Sequence, residues 1–451
     1  MANICIVGLW HQAMVLAACF ADIGHTVCGV GEEPAVAEAL NKGEPPLFEP
    51  RFSAMIRRNV KSGRLKFLTD YRQAVRDAEF VYLSIDTPVN EDDSSDLSVI
   101  FDAARNIGRA LSGPIILVVT AQVPVGTTDR LAAVVRGENP QVRVEFAYVP
   151  EFLRLGAAVE TFRKADRFVI GADDPVVAER IEALYQPLRR PIFTTTVRTA
   201  EMSKHACNAF LAMSISFINE IADLSEELGA NTAEVAKIMK ADRRIGPFAF
   251  LSPGLGFAGG TLGREVRALQ TLGQESGRMT HMMDAIWEVN RLRSQIVRRK
   301  LETECGRLQG LAVGILGLTY KPGTSTLRRA ISLEIIRDLA AHGVVVKAYD
   351  PLARLDEVTE LPPFQSVDSP YEAATGADAV VLLTEWEDIK TELDLPKLRG
   401  LMRQPVFIDT RNLFDPVQMQ RLGLTYSNIG CRTQKNPLPL LRNSTERDVV
   451  E

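Results

Sequence analysis

Asn3-Ile-Cys-Ile-Val7-Gly8-Leu-Trp-His-Gln-Ala13 decides the fold: an apolar run of strand character ends at a glycine turn, and a helical stretch continues to Ala21. Gly24 breaks that helix and Thr26 to Val30 supplies a second apolar strand, so the segment reads strand, turn, helix, strand. The same order recurs near the other end of the chain. There Leu311-Ala-Val-Gly-Ile-Leu-Gly317 precedes the helical stretch Ser332 to His342, Gly343, the strand Val344 to Tyr349 and Asp350-Pro351. Phe80 to Ser84 matches Ala379 to Leu383, and Ile115 to Thr120 matches Pro405 to Asp409. Strands alternating with helices predict an α/β protein with two parallel, doubly wound, Rossmann-like sheets.

Between the two units Met202, Ala206, Ala209, Met213, Phe217, Ile221, Leu224 and Leu228 recur at helical spacing up to Gly229, a C-terminal cap. About 29 residues of helix span about 43 Å, enough to join two domains. The expected division is 1–198 for the first Rossmann-like domain, 199–300 for a central helical dimerisation region, 301–432 for the second Rossmann-like domain, and 433–451 for a polar tail, disordered from about Asn443 onward.

The 451 residues carry a net charge of −5 without a basic block, which argues against nucleic acid and anionic membranes as partners. No apolar run reaches the ~20 residues of a bilayer span. The chain enters a strand at residue 3 with no basic, apolar leader before it, so a cytoplasmic protein is expected. The six cysteines and five histidines show no metal-ligand spacing, and the cysteines read as small hydrophobes, with Cys207 set apart by its place beside Asn208.

Longer motifs give the chain a likeness. They are Leu40 to Glu44 with Phe48-Glu-Pro50; Thr87-Pro88 followed by the acidic loop Asn90 to Asp96; Val123 to Thr127; Pro150-Glu-Phe-Leu-Arg154; Ala200-Glu-Met-Ser-Lys204 with Asn208; Ile215 to Glu220; Arg244-Ile-Gly246; Pro253-Gly-Leu-Gly-Phe-Ala-Gly-Gly-Thr261-Leu-Gly-Arg-Glu265; and Gly317 to Pro322. From about residue 3 to about 430 the chain resembles the nucleotide-sugar 6-dehydrogenases, the UDP-glucose and GDP-mannose dehydrogenase family. The resemblance implies an N-terminal NAD domain, a dimerising central region and a C-terminal nucleotide-sugar domain, hence a homodimer that binds a UDP- or GDP-linked sugar.

The departures from the family pattern cluster. A dinucleotide turn needs small residues beside the pyrophosphate and an acid for the ribose. Here the fingerprint is Gly8, Trp10, Ala13, with an indole in the pyrophosphate's space. Gly31 stands at the acid's position, leaving Glu32 to serve one residue later, and Asp86 precedes Thr87-Pro88 at the second turn. These residues describe a degraded cofactor site and argue against tight NAD binding. Thr261 replaces the family's catalytic cysteine, and an unactivated hydroxyl does not form the thiohemiacetal and thioester of a four-electron oxidation. Gln122, Leu155, Arg264 and Glu265 also differ from the family's water-orienting threonine, acid, lysine and aspartate.

The resemblance implies that Lys204, Asn208 and Glu151 remain as oxyanion and acid-base groups. It assigns Phe152, Leu153, Arg154, Arg244, Phe250, Leu251, Gly254, Gly256, Lys321 and Arg328 to the sugar-nucleotide pocket, with Arg244 reaching into a neighbouring subunit. The expectation is a nucleotide-sugar-binding homologue without the NAD-dependent four-electron oxidation. The alternatives are an active NAD-dependent 6-dehydrogenase that stops at the aldehyde, and a regulatory partner of an active dehydrogenase.

Overall fold

The computed structural model describes residues 1–88 and 95–432. Residues 90–94 of the acidic loop Asn90 to Asp96 and the tail from residue 433 lie outside the described residues.

The first sheet contains β1 (Asn3–Val7), β2 (Thr26–Val30), β3 (Leu65–Leu68), β4 (Phe80–Leu83), β5 (Ile115–Val119), β6 (Val144–Tyr148), β7 (Phe168–Gly171) and β8 (Ile192–Thr195). Their order is β3-β2-β1-β4-β5-β6-β7-β8. The second sheet contains β9 (Ala312–Leu316), β10 (Val345–Tyr349), β11 (Gln365–Ser366), β12 (Ala379–Leu382), β13 (Val406–Asp409) and β14 (Thr425–Asn428), ordered β11-β10-β9-β12-β13-β14. Both follow the strand order of dinucleotide-binding sheets, which reverses beside the first strand and opens a crevice there.

The strands are apolar on both faces because helices cover both. Ile4, Ile6, Phe20 and Tyr82 pack on one side of the first sheet and Cys5, Val7, Leu83 and Leu117 on the other. Cys5 lies opposite Cys28 on the neighbouring strand, and burial pushes both thiols above their ordinary range, as expected of hydrophobic packing.

The expectation of two wholly parallel sheets needs one correction. β6 and β7 pair antiparallel, and only at Tyr148 and Gly171. The chain between them carries the short helix Ala158–Arg163 and not a full crossover helix, so β7 returns in the opposite direction.

The central helix runs from Val197 to Leu228, 32 residues, about 48 Å at 1.5 Å per residue. It starts earlier than its apolar spacing shows because Thr196 caps it, accepting from the Thr199 amide. Gly229, with φ 74°, ends it as expected. Near its start the fully buried Glu201 carboxylate accepts from the Gly126 amide (2.6 Å), the Thr128 amide (3.0 Å) and the Thr128 hydroxyl (2.7 Å). A carboxylate at the N-terminus of the helix Thr127–Glu138 satisfies otherwise orphaned donors and meets the positive end of the helix dipole. Glu201 thereby fastens the central helix to the first sheet. Glu201→Leu strands those three donors and is expected to lower stability by about 3–5 kcal/mol, read as a shift in the urea midpoint.

Candidate active site

The loop Pro253–Gly260 is built before any ligand arrives. The Gly254 amide donates to Asn219 Oδ1 (2.8 Å), and its carbonyl accepts from Nε and Nη2 of Arg293, a buried guanidinium that also pairs with Asp223. Asn290 clamps Phe257 through both its amide (2.8 Å) and carbonyl (3.0 Å), and the Gly259 amide donates to the Arg329 carbonyl of the second Rossmann unit (3.0 Å). At Gly256, φ is 87° and a Cβ would lie 2.3 Å from Asn290 Oδ1, so both backbone and space demand glycine.

Thr261 follows, exposed, at the head of the helix Leu262–Glu275, and its hydroxyl makes no capping bond. Behind it lies a buried polar knot. Glu265 accepts from Gln122 Nε2 (2.6 Å) and Asn208 Nδ2 (3.1 Å) at Oε1, while Oε2 faces His205 Nδ1. The other ring nitrogen of His205 faces the Val123 carbonyl (3.0 Å), so both nitrogens meet acceptors. Gln122 also reaches the Thr261 carbonyl (3.4 Å) and accepts from Arg264. Arg264 donates further to the Thr87 hydroxyl (2.7 Å) and carbonyl (2.9 Å). Burial pushes the Arg264 guanidinium's pKa down, and the charge of Asp86 pulls it back up. For Glu265 burial acts to raise the pKa, but the His205 hydrogen bond and charge, with Lys204 and Asn208, outweigh it and hold the carboxyl below the ordinary range.

Lys204 and Glu151 meet. The buried ammonium donates to the Glu151 carbonyl, lies 3.7 Å from its carboxylate and stands 4.8 Å from the centre of the Phe152 ring. Glu151 is oriented by Gln12 Nε2 (2.8 Å) and by the Leu153 amide (2.6 Å). Cys207 accepts from Arg167 (3.2 Å), whose guanidinium covers the same Phe152 ring.

The crevice beside β1 and β4 is open, about 350 Å³, lined by Gly8, Leu9, Trp10, Ile85, Asp86, Pro88 and Arg328. Gly8 has φ 123° and its missing Cβ would sit 2.5 Å from the Ser84 carbonyl, the close approach a dinucleotide turn requires. Ala13 is buried in the helix behind. Trp10 stands in the crevice wall with 42% of its surface exposed. Gly31 has a steric cause: a Cβ there would meet the Leu9 side chain at 2.6 Å. Glu32 instead lines a second cavity of about 430 Å³ with Tyr71, Arg72 and Asn106, and Asn106 donates to it (3.3 Å).

The sugar-pocket residues divide. Lys321 donates to the Leu155 carbonyl, which brings the second unit onto the loop bearing Phe152, Leu153 and the exposed Arg154; burial pushes the lysine's pKa down. Leu251 is buried while Phe250 is exposed. Arg244 is exposed and paired with Asp242 (2.6 Å). The Arg328 guanidinium turns to the Asp86 carboxylate (2.7 Å) on the dinucleotide side.

Several positioning groups escaped the sequence reading. His205 and Gln12 lie beside residues that were singled out, but their partners are 60 and 139 positions away. Glu49, within Phe48-Glu-Pro50, accepts from the Gly156 (2.9 Å) and Ala158 (2.6 Å) amides and pairs with His11 (3.0 Å). Asn219 belongs to the quoted Ile215 to Glu220 motif, the one signal that marked it.

Because the Glu265 carboxyl is depressed in the fold, its ionised form stabilises the protein above the unfolded value near ~4.3, and that contribution is lost as pH falls through the folded value. Glu265→Gln is expected to cost about 3 kcal/mol at pH 7 and to flatten the fall in stability below about pH 4.5, measured by urea unfolding across acid pH.

Comparison with known proteins agrees with this layout. Residues 2–189 match the UDP-glucose/GDP-mannose dehydrogenase family, NAD binding domain; residues 198–292 match its central domain; residues 314–416 match its UDP binding domain. A UDP-glucose 6-dehydrogenase of Rhizobium meliloti (strain 1021) is 37% identical over 435 residues, 95% of this chain and 99% of that protein. One from Pseudomonas aeruginosa is 37% identical over 442 residues, 95% and 97% of the two chains. The structure of a UDP-glucose dehydrogenase from Pyrobaculum islandicum superposes with a TM-score of 0.88 at 32% identity, covering 96% of this chain and 98% of that one. With three domain matches in order and relatives aligned almost end to end, the chain belongs to the UDP-glucose/GDP-mannose dehydrogenase family.

Proposed function

We propose that this protein is an NAD-dependent UDP-sugar oxidoreductase whose chemistry stops after one two-electron step at C6. The observation that carries the limit is Thr261, an exposed hydroxyl where the family resemblance places the thiol. Without a thiolate the aldehyde is not held as a thiohemiacetal, and the second oxidation loses its covalent route. The names of the relatives, UDP-glucose 6-dehydrogenases, support the oxidoreductase part of the reading.

The crevice fits a dinucleotide in three respects: backbone freed at Gly8, a cation at Arg328 and a carboxylate at Glu32 one cavity further on. When bound, NAD supplies the hydride acceptor. Lys204 and Asn208, four residues apart on one face of the central helix, would offer their remaining N–H donors to the C6 oxygen and stabilise negative charge there. Glu151, fixed by Gln12 and the Leu153 amide, receives the hydroxyl proton. Loss of that proton, with a hydride passed to the bound dinucleotide, would convert the alcohol to the aldehyde. The pairing of Lys321 with the Leu155 carbonyl folds the UDP-domain side over this centre.

A second reading, a UDP-sugar binder without oxidation, draws on Trp10 in the crevice wall and on the Asp86–Arg328 bridge across it. One assay separates the readings. UDP-glucose with NAD is expected to yield one NADH per sugar and a trappable aldehyde, and Thr261→Cys to yield two NADH and the uronate. UDP-glucose binding with no NADH favours the binder. Uronate from the native protein overturns the limit at Thr261.

We also propose a homodimer through the central helix. Phe210, Phe217 and Leu224, spaced by seven, are 62%, 44% and 55% exposed, an apolar stripe on one face. Phe217→Glu is expected to convert the dimer to monomer by light scattering after gel filtration. An unchanged mass would refute that face.

A further inference from the structure

We propose that Asp86 is an internal competitor for the diphosphate of a dinucleotide, holding Arg328 in an ion pair that must open before the cofactor seats. The proposal rests on the NAD reading above, which supplies the ligand. Asp86 stands in the turn after β4 of the first sheet. Arg328 belongs to the segment between β9 and the helix Ile331–Ala341 of the second. Their 2.7 Å bridge therefore crosses the boundary between the two Rossmann units, and both side chains line the same crevice as Gly8 and Trp10.

Charge makes the bridge a competitor. A diphosphate brought to Arg328 places its negative oxygens beside the Asp86 carboxylate, and like charges at that separation repel. While the bridge stands, the guanidinium is already neutralised. Asp86 also acts through space on the buried Arg264, so one carboxylate offsets two cations at this end of the crevice. Removing it leaves both to favour an anion.

Exposure makes the bridge breakable. The Arg328 side chain is 45% exposed and that of Asp86 is 23% exposed. A half-solvated pair of this kind holds with modest strength and exchanges its partner for water or phosphate without leaving a buried charge. The pair sets the affinity threshold of the crevice and ties its filling to the approach of the two units. Cofactor entry replaces a domain-to-domain ion pair with a phosphate-to-domain one.

The test compares the native protein with Asp86→Asn, which keeps shape and removes charge, titrating NADH and, separately, inorganic pyrophosphate at low and high salt. Asp86→Asn is expected to bind both roughly ten-fold more tightly at low salt, with the gap narrowing as salt screens the carboxylate. The gain should vanish in Asp86→Asn/Arg328→Gln. Equal or weaker pyrophosphate binding by Asp86→Asn, no pyrophosphate binding by either protein, or a gain that survives in the double variant overturns the proposal. If pyrophosphate shows the gain while NADH binds neither protein, the cofactor reading fails and the competitor role stands. Thermal unfolding of each variant confirms that it is folded.

Discussion

The Glu265 carboxylate is the point on which the rest of the centre depends. It is fully buried, and a carboxylate removed from water is costly unless its oxygens are occupied by donors and its charge is matched. His205, Gln122 and Asn208 meet that demand. Two belong to the central helix and one to the segment after β5, while Glu265 belongs to the helix that follows Thr261. The same carboxylate therefore fixes three separately folded parts relative to one another, because displacing any of them would leave a buried charge short of a partner.

Thr261 inherits its position from this arrangement. The loop before it is held by Asn219, Asn290 and Arg293, and the helix after it by Glu265. Its hydroxyl is the group left without a structural task. On the opposite side Gln12 fixes Glu151, and Glu49, paired with His11, fixes the loop through residues 156 and 158, so the helix that starts at the Gly8 turn also orients the segment from Glu151 to Ala158.

The fold was legible where information is local. Apolar runs punctuated by glycine placed β1, β2, β9 and β10, and their repetition implied the second sheet. Helical spacing marked the central helix but missed its first residues, because Val197 to Glu201 are set by the Thr196 cap and by the Glu201 contact with another element. The antiparallel β6–β7 pair was hidden because strand direction depends on how the connection packs. In the site, Lys204, Asn208 and Glu151 were legible as members of quoted motifs. His205 and Gln12 were not, since a polar side chain reveals its role only when a partner distant in sequence arrives beside it. Arg328 shows the converse. The sequence supplied a cation near Lys321 but gave no means of weighing Asp86, on the other domain, as the nearer anion.

Gln122, Arg264 and Glu265 each differ from the family pattern at its oxidative centre. Their geometry joins them. Arg264 donates to Gln122, Gln122 donates to Glu265, and Arg264 continues to the Thr87 turn. Independent decay would leave buried polar groups without partners, and each such group costs about 1–3 kcal/mol. Here one atom of the three side chains, Arg264 Nε, is buried without a partner among the described residues. Side chains that differ from a pattern at three positions yet satisfy one another form a rebuilt connection between the dinucleotide turn at Thr87 and the helix behind Thr261. A buried guanidinium and a buried carboxylate one glutamine apart satisfy one another, so the three residues hold the fold behind Thr261 together as a unit.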